Sequence, residues 1–135
     1  MKIITNSNYV EEAEKVIQSL KNKKNPKTGR DIPMVTTSKI RNLLAMTADI
    51  YNETLNIPGN QLPERLNDRI EYLRIRFIYE VGKDSDGRVK NFVTEAGILD
   101  ILREIKGIKS NFILFNRYME ALVAYRKFLG DRDED

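Results

Sequence analysis

The sequence contains no histidine and no cysteine. Without histidine, the usual general base near neutral pH and the imidazole ligand of most zinc sites are missing, and serine–histidine and cysteine–histidine catalysis are excluded. Without cysteine there is no disulfide framework, thiolate metal site or thiol nucleophile, which favours an intracellular setting. The seven glycines are scattered at breaks, so no glycine-rich phosphate cradle exists. No apolar run approaches the roughly 20 residues of a membrane-spanning helix. The N-terminal MKIITNSNYVEEAEK has no apolar core of a signal peptide and turns acidic at once. The expected compartment is the cytoplasm, with no membrane partner.

Carboxylate or lysine chemistry is what remains for catalysis, and it needs acids clustered on one face. Glu11, Glu12 and Glu53 show no pattern beyond capping and solvation. The turn DSDG, Asp84 to Gly87, lacks the ligand series and terminal glutamate of a calcium loop. The expectation is therefore a protein that is not an enzyme, with no cofactor and no bound metal.

What is present is an ordinary globular composition, 41% hydrophobic and 32% charged over 135 residues. That length predicts one domain, residues 1–130, followed by an acidic tail at 131–135. The tail, DRDED, carries a net −3 and leaves +6 on the preceding residues, a balance that points to a polyanionic partner.

Five segments read as amphipathic helices, and none alternates with period two. The first spans about residues 8–24, with Val10, Ala13, Ile17 and Leu20 as its apolar stripe and Asn6 or Ser7 as its cap. It ends in KNKKNPKTGRDIP, an expected exposed and mobile loop. The second opens at TTSKIRNLL, capped by Thr36 or Thr37, with Ile40, Leu43, Leu44, Thr47, Ile50 and Tyr51 on one face. Its end is the Pro58–Gly59 turn. The third spans about residues 63–81, with Pro63 in its first turn, and the fourth about 89–105, with Phe92, Val93, Ala96, Leu99, Leu102 and Ile105 inward. The fifth, capped by Ser110 or Asn111, runs to Gly130. Short connections between such elements predict an all-α fold, a compact antiparallel bundle of about five helices.

The third helix carries two surfaces. At about 100° per residue, Leu66, Ile70, Leu73, Phe77 and Val81 fall within about 80° of one another and form the core face. Arg65, Arg69, Tyr72, Arg76 and Lys83 occupy a sector about 60° wide, about 120° from the first. Arg74 sits apart, at the edge of the apolar face. A solvated charged face with snorkelling stems accounts for most such stripes. Two details point further: arginine, whose fork suits phosphate oxygens, outnumbers lysine, and acids along the stripe are scarce, with Glu80 the main candidate. Arginines with Tyr72 are able to contact a phosphodiester backbone and stack a base.

Three further features bear on binding. The loop holds Lys21, Lys23, Lys24, Lys27 and Arg30, a set suited to phosphates and equally to solubility alone. Lys39 and Arg41 flank the core face of the second helix on opposite sides, so one of them extends the arginine stripe if the second and third helices are neighbours. The last helix concentrates Phe112, Phe115, Tyr118, Met119, Leu122, Tyr125, Phe128 and Leu129, which suits core packing and also docking on a partner.

VTTSKIRNLL, YLRIRFIYEVGK and FNRYMEALVAYRKFLG, together with NYVEEAEKVI near the start, resemble the small subunit of type III-A CRISPR interference (Csm) complexes in order and spacing. The resemblance implies a non-catalytic, all-helical protein present in more than one copy per complex. It implies as partners the backbone and large subunits, neighbouring copies, the CRISPR RNA ribonucleoprotein and the target RNA paired in its channel. It transfers an RNA-contacting role to Lys39, Arg41, Arg74, Arg76 and Arg117. Lys83 stands where the family ending has arginine, keeping charge and losing the fork. Wheel and resemblance together give the expected RNA-binding set Lys39, Arg41, Arg65, Arg69, Tyr72, Arg74, Arg76, Lys83 and Arg117. The rival expectation is a helical adaptor without nucleic-acid contact, docking through its C-terminal aromatic helix.

Overall fold

The computed structural model describes residues 3–130, and the acidic tail lies outside them. Those residues form seven helices and no strand: α1 (Tyr9–Lys21), α2 (Thr37–Ala45), α3 (Ala48–Leu55), α4 (Glu64–Lys83), α5 (Arg88–Ala96), α6 (Ile98–Arg103) and α7 (Lys109–Leu129). The all-helical expectation holds, and two of the five expected helices are divided.

The first division separates α2 from α3. No glycine or proline marks it in sequence. Thr47, fully buried, sets its hydroxyl 2.7 Å from the Leu44 carbonyl and 2.7 Å from the side-chain oxygen of buried Asn116 on α7. Competition for backbone carbonyls is what makes threonine a poor residue inside a helix. Here it ends one helix and ties the next to α7. The second division is at Gly97, whose φ of 68° places it in the left-handed region that suits glycine. The freed Ala96 carbonyl, at the end of α5, accepts the Tyr118 hydroxyl at 2.8 Å.

The capping differs from expectation in part. The Thr36 hydroxyl accepts from the Lys39 N–H at 3.1 Å, as its position before α2 predicts. Pro63 stands one place outside α4, at its cap. Ser110 and Asn111 lie within α7, and the cap comes from a distant loop: Asn60 accepts the Lys109 N–H on its carbonyl and the Ser110 N–H on its side chain, each at 2.8 Å. The segment before α4 is thereby held against the start of α7.

The core gathers side chains from every helix. α7 packs along α1 and also meets α2, α3 and α6, whereas α4 packs on α3, α5 and α6. Phe77 of α4 meets Phe115 of α7 edge to face, with centroids 6.4 Å apart and planes at 85°. The expected inner face of α4 is buried at Leu66, Ile70, Leu73 and Phe77. Val10 and Phe128, both placed on apolar stripes by their spacing, are instead exposed, Phe128 at 80%. Each lies near the end of its helix, where no neighbouring element covers it. The basic loop is exposed but closed by hydrogen bonds from Asn25 N–H to Arg30 O and from Ile32 N–H to Lys23 O.

A candidate nucleic-acid interface

α4 is long enough to present its outer side over five turns, and the charged residues expected there do lie outward. Arg65, Tyr72, Arg76 and Lys83 are exposed and Arg69 is half-buried. Going along that edge, two acids decide how the cations are held.

The first is Glu53, on α3. Its carboxylate accepts from Arg65 at 3.0 Å on one oxygen and from Arg69 on the other. Spacing alone suggested for Glu53 no role beyond solvation. The pairing follows from α3 packing beside α4, a relation no local pattern carries. The second acid is Glu80. It accepts from Lys39 of α2 at 2.7 Å and from Lys83 at 3.2 Å. The Lys39 hydrogen bond holds the Glu80 carboxyl below the usual carboxylate range, burial opposes this, and Lys83 adds to the lowering. Lys83 also stands 5.5 Å from the centre of the Tyr79 ring.

The structure therefore brings Lys39, Arg65, Arg69, Tyr72, Arg76 and Lys83 onto one edge of the fold, with Glu53 and Glu80 as counter-charges. Between those two acids, Arg76 has no ion-pair partner among the described residues. Exposed ion pairs of this kind contribute about 0–1 kcal/mol each, so a phosphate can exchange with the carboxylate at small cost.

Three expected residues lie elsewhere. Arg74 is on the flank towards the core, 27% exposed, with its guanidinium 2.9 Å from Glu71 and its Nε buried without a hydrogen bond. Its position at the edge of the apolar face was legible from periodicity, and its acid partner lies on its own helix. Arg41 points to the opposite flank of α2 from Lys39, into a groove it lines with Tyr51, Asn52, Asn116 and Glu120. Arg117 is exposed on α7 with no ion-pair partner among the described residues.

The basic loop is largely committed. Lys21 donates to the Leu129 carbonyl at 2.8 Å, Lys23 stands 3.8 Å from Glu95, and Lys24 pairs with Asp31. Sequence reasoning missed Arg126 as well: it is buried, and its Nε donates to the Val35 carbonyl at 2.7 Å, fixing the strap before α2 against the end of α7. Of the C-terminal apolar set, Phe112, Phe115, Tyr118, Met119 and Leu122 are buried, Tyr125 and Leu129 are half-buried, and Phe128 is exposed. That removes most of the surface on which the rival docking reading relied. No group of three or more metal-ligating side chains occurs among the described residues, and no helix there is long and apolar enough to cross a membrane.

Residues 6–132 match the family described as Csm2 Type III-A. Among curated proteins, the chain is 37% identical over 131 residues to the "CRISPR system Cms protein Csm2" of Mycobacterium tuberculosis, covering 97% of this chain and 98% of that one. It is 38% identical over 133 residues to the protein of the same description from Streptococcus thermophilus, covering 98% and 100%. A third relative, from Enterococcus italicus, is 35% identical over 127 residues, covering 88% and 89%.

Proposed function

The chain belongs to the Csm2 family of type III-A CRISPR systems, and from that premise we propose that it is a non-catalytic subunit that holds RNA inside a Csm ribonucleoprotein. It contacts the backbone of the target RNA along the guide–target channel and bridges the backbone and large subunits in defence against foreign genetic elements. It works in the cytoplasm without a cofactor. Residues 1–130 act as a single domain.

The observation that carries the RNA part is the outer edge of α4. Cations from two helices, Lys39, Arg65, Arg69, Arg76 and Lys83, line up beside the exposed ring of Tyr72. Arginine forks grip phosphate oxygens, and a backbone contact of this type reads no sequence, which suits a complex whose specificity comes from base pairing. Arg76 makes the first contact, because it has no carboxylate to leave. Arg65 and Arg69 follow by exchanging Glu53 for phosphate. Arg41 and Arg117 serve a second contact on the α2–α7 side, and Arg74 supports the helix from within.

Purification of the tagged chain from its native cell tests this reading. Recovery of CRISPR RNA with the backbone and large Csm subunits is expected. A preparation that holds neither RNA nor those subunits would overturn it.

A further inference from the structure

The loop between α1 and α2 is built out from the end of α7. One foot is held where Lys21 donates to the Leu129 carbonyl at 2.8 Å, the other where Arg126 donates to the Val35 carbonyl at 2.7 Å. Between the feet an antiparallel bridge joins Lys24 to Asp31, and Gly29, at a φ of 72°, makes the turn. Its N–H donates to the Asn25 carbonyl at 2.8 Å. Ordering an exposed segment costs conformational entropy, and hydrogen bonds at both ends offset that cost here. The loop is a short finger.

Its charge is only partly satisfied. Lys23 stands 3.8 Å from Glu95, and Lys24 pairs with Asp31. Lys27 and Arg30, towards the tip, are exposed and have no ion-pair partner among the described residues. The same holds for Lys127 in the last turn of α7.

The place where the chain leaves the bundle is fixed as well. Gly130 donates its N–H to the Arg126 carbonyl at 3.0 Å. A Cβ at this position would collide with that carbonyl and with the Arg126 guanidinium. Arg126 is buried, and its guanidinium is the group that anchors Val35. Glycine thus lets the chain fold closely over the anchor of the loop, and residues 131–135 start from the loop's own foot.

Those residues, DRDED, carry a net −3. Five extended residues span about 17 Å, and five residues also lead from Val35 back to Arg30. We propose that residues 131–135 dock along the basic finger, their carboxylates meeting Lys27, Arg30 and Lys127, and screen it from other polyanions. Starting point, reach and sign of charge select this occupant. Exposed ion pairs are individually weak, but the short tether holds the two partners at about millimolar effective concentration. A dense polyanion offers the finger more charge than the tail does and displaces it, whereas a weak one is kept out. The device uses none of the α4 cations and goes beyond the proposed function.

Zero-length carbodiimide cross-linking of the full chain, with tryptic mass mapping, tests the contact. At low salt Lys27 should couple to residues 133–135 within the mass of one chain. About 0.5 M sodium chloride should suppress the link, because screening then acts within a few ångströms. No Lys27 link, a link indifferent to salt or found only between two chains, or tail coupling to Lys39 or Lys83 in place of Lys27, overturns the docking.

Inorganic polyphosphate tests the screening. Removal of residues 131–135 should tighten its binding at least about threefold. Neutralising the tail by Asp131→Asn, Asp133→Asn, Glu134→Gln and Asp135→Asn together should do the same. Lys27→Glu with Arg30→Glu should abolish the gain and leave the helical circular-dichroism signal unchanged, since both side chains are exposed. Equal affinity with and without the tail, or a gain that survives the loop variant, overturns the proposal. Neither readout involves RNA, so its failure and that of the RNA reading are separate results.

Discussion

The Lys39 ammonium of α2 donates to the Glu80 carboxylate of α4 at 2.7 Å, joining two helices whose paired residues are 41 positions apart. Lys83 shares the same carboxylate. One acid thus assembles cations from two elements at the end of the candidate interface.

Glu80 gives this end a pH dependence. Its folded pKa lies below the ordinary 4.5, chiefly through Lys39. A lowered acid stabilises the fold above its unfolded pKa and loses that contribution as pH falls through the folded value. Glu80→Gln should therefore cost about 1 kcal/mol at neutral pH. Urea denaturation at stepped pH should show the gap to the unmodified chain closing below the ordinary glutamate range. A constant gap would place the cost in something other than the charge.

Arg76 is the cation whose removal should matter most for RNA. Arg76→Glu is expected to lower affinity for labelled single-stranded RNA several-fold and to flatten the log–log salt dependence by about 0.7 for each phosphate no longer neutralised. The thermal midpoint should stay where it is, since the side chain is exposed and supports nothing. Unchanged affinity and slope would remove this edge from the RNA interface.

Glu53 is expected to compete with RNA for Arg65 and Arg69. Glu53→Gln should strengthen RNA binding and steepen the salt dependence by about 0.7 for each arginine that takes up a phosphate. Stability should change by less than about 1 kcal/mol, because the pairs are solvent-exposed. Weaker binding would mean that the pair positions the arginines and that their forks must stay where Glu53 holds them.

Tyr118 should behave as a structural donor. Burial, then the charges of Glu12 and Glu95, push its ionisation above the usual tyrosine range. Tyr118→Phe leaves the Ala96 carbonyl without that hydroxyl and should cost about 1 kcal/mol in denaturant unfolding. In an alkaline absorbance titration Tyr118 should ionise only with unfolding. Early ionisation of Tyr118 would contradict its burial.

Much of this was legible locally. Periodicity identified the inner face of α4, the outward set from Arg65 to Lys83, and the odd position of Arg74. Composition removed the common routes to catalysis before any fold was known. Segment order pointed to the family. The division at Gly97 had a glycine to mark it, yet a glycine inside an amphipathic run is also tolerated in a continuous helix, so the sign was ambiguous. The division at Thr47 had only a threonine to mark it, and its second partner is an asparagine in the last helix.

The sequence by itself determined which side of each helix is apolar, since that follows from spacing along one chain segment. Only the tertiary structure decided which charges are already held. Glu53 meets Arg65 and Arg69, and Glu80 meets Lys39, because α3 and α2 end beside α4. Such pairings depend on the packing of distant segments, and no window of sequence contains them. The same packing leaves Ile75 and Ile78 uncovered, a fact that periodicity cannot supply, because exposure is decided by neighbours.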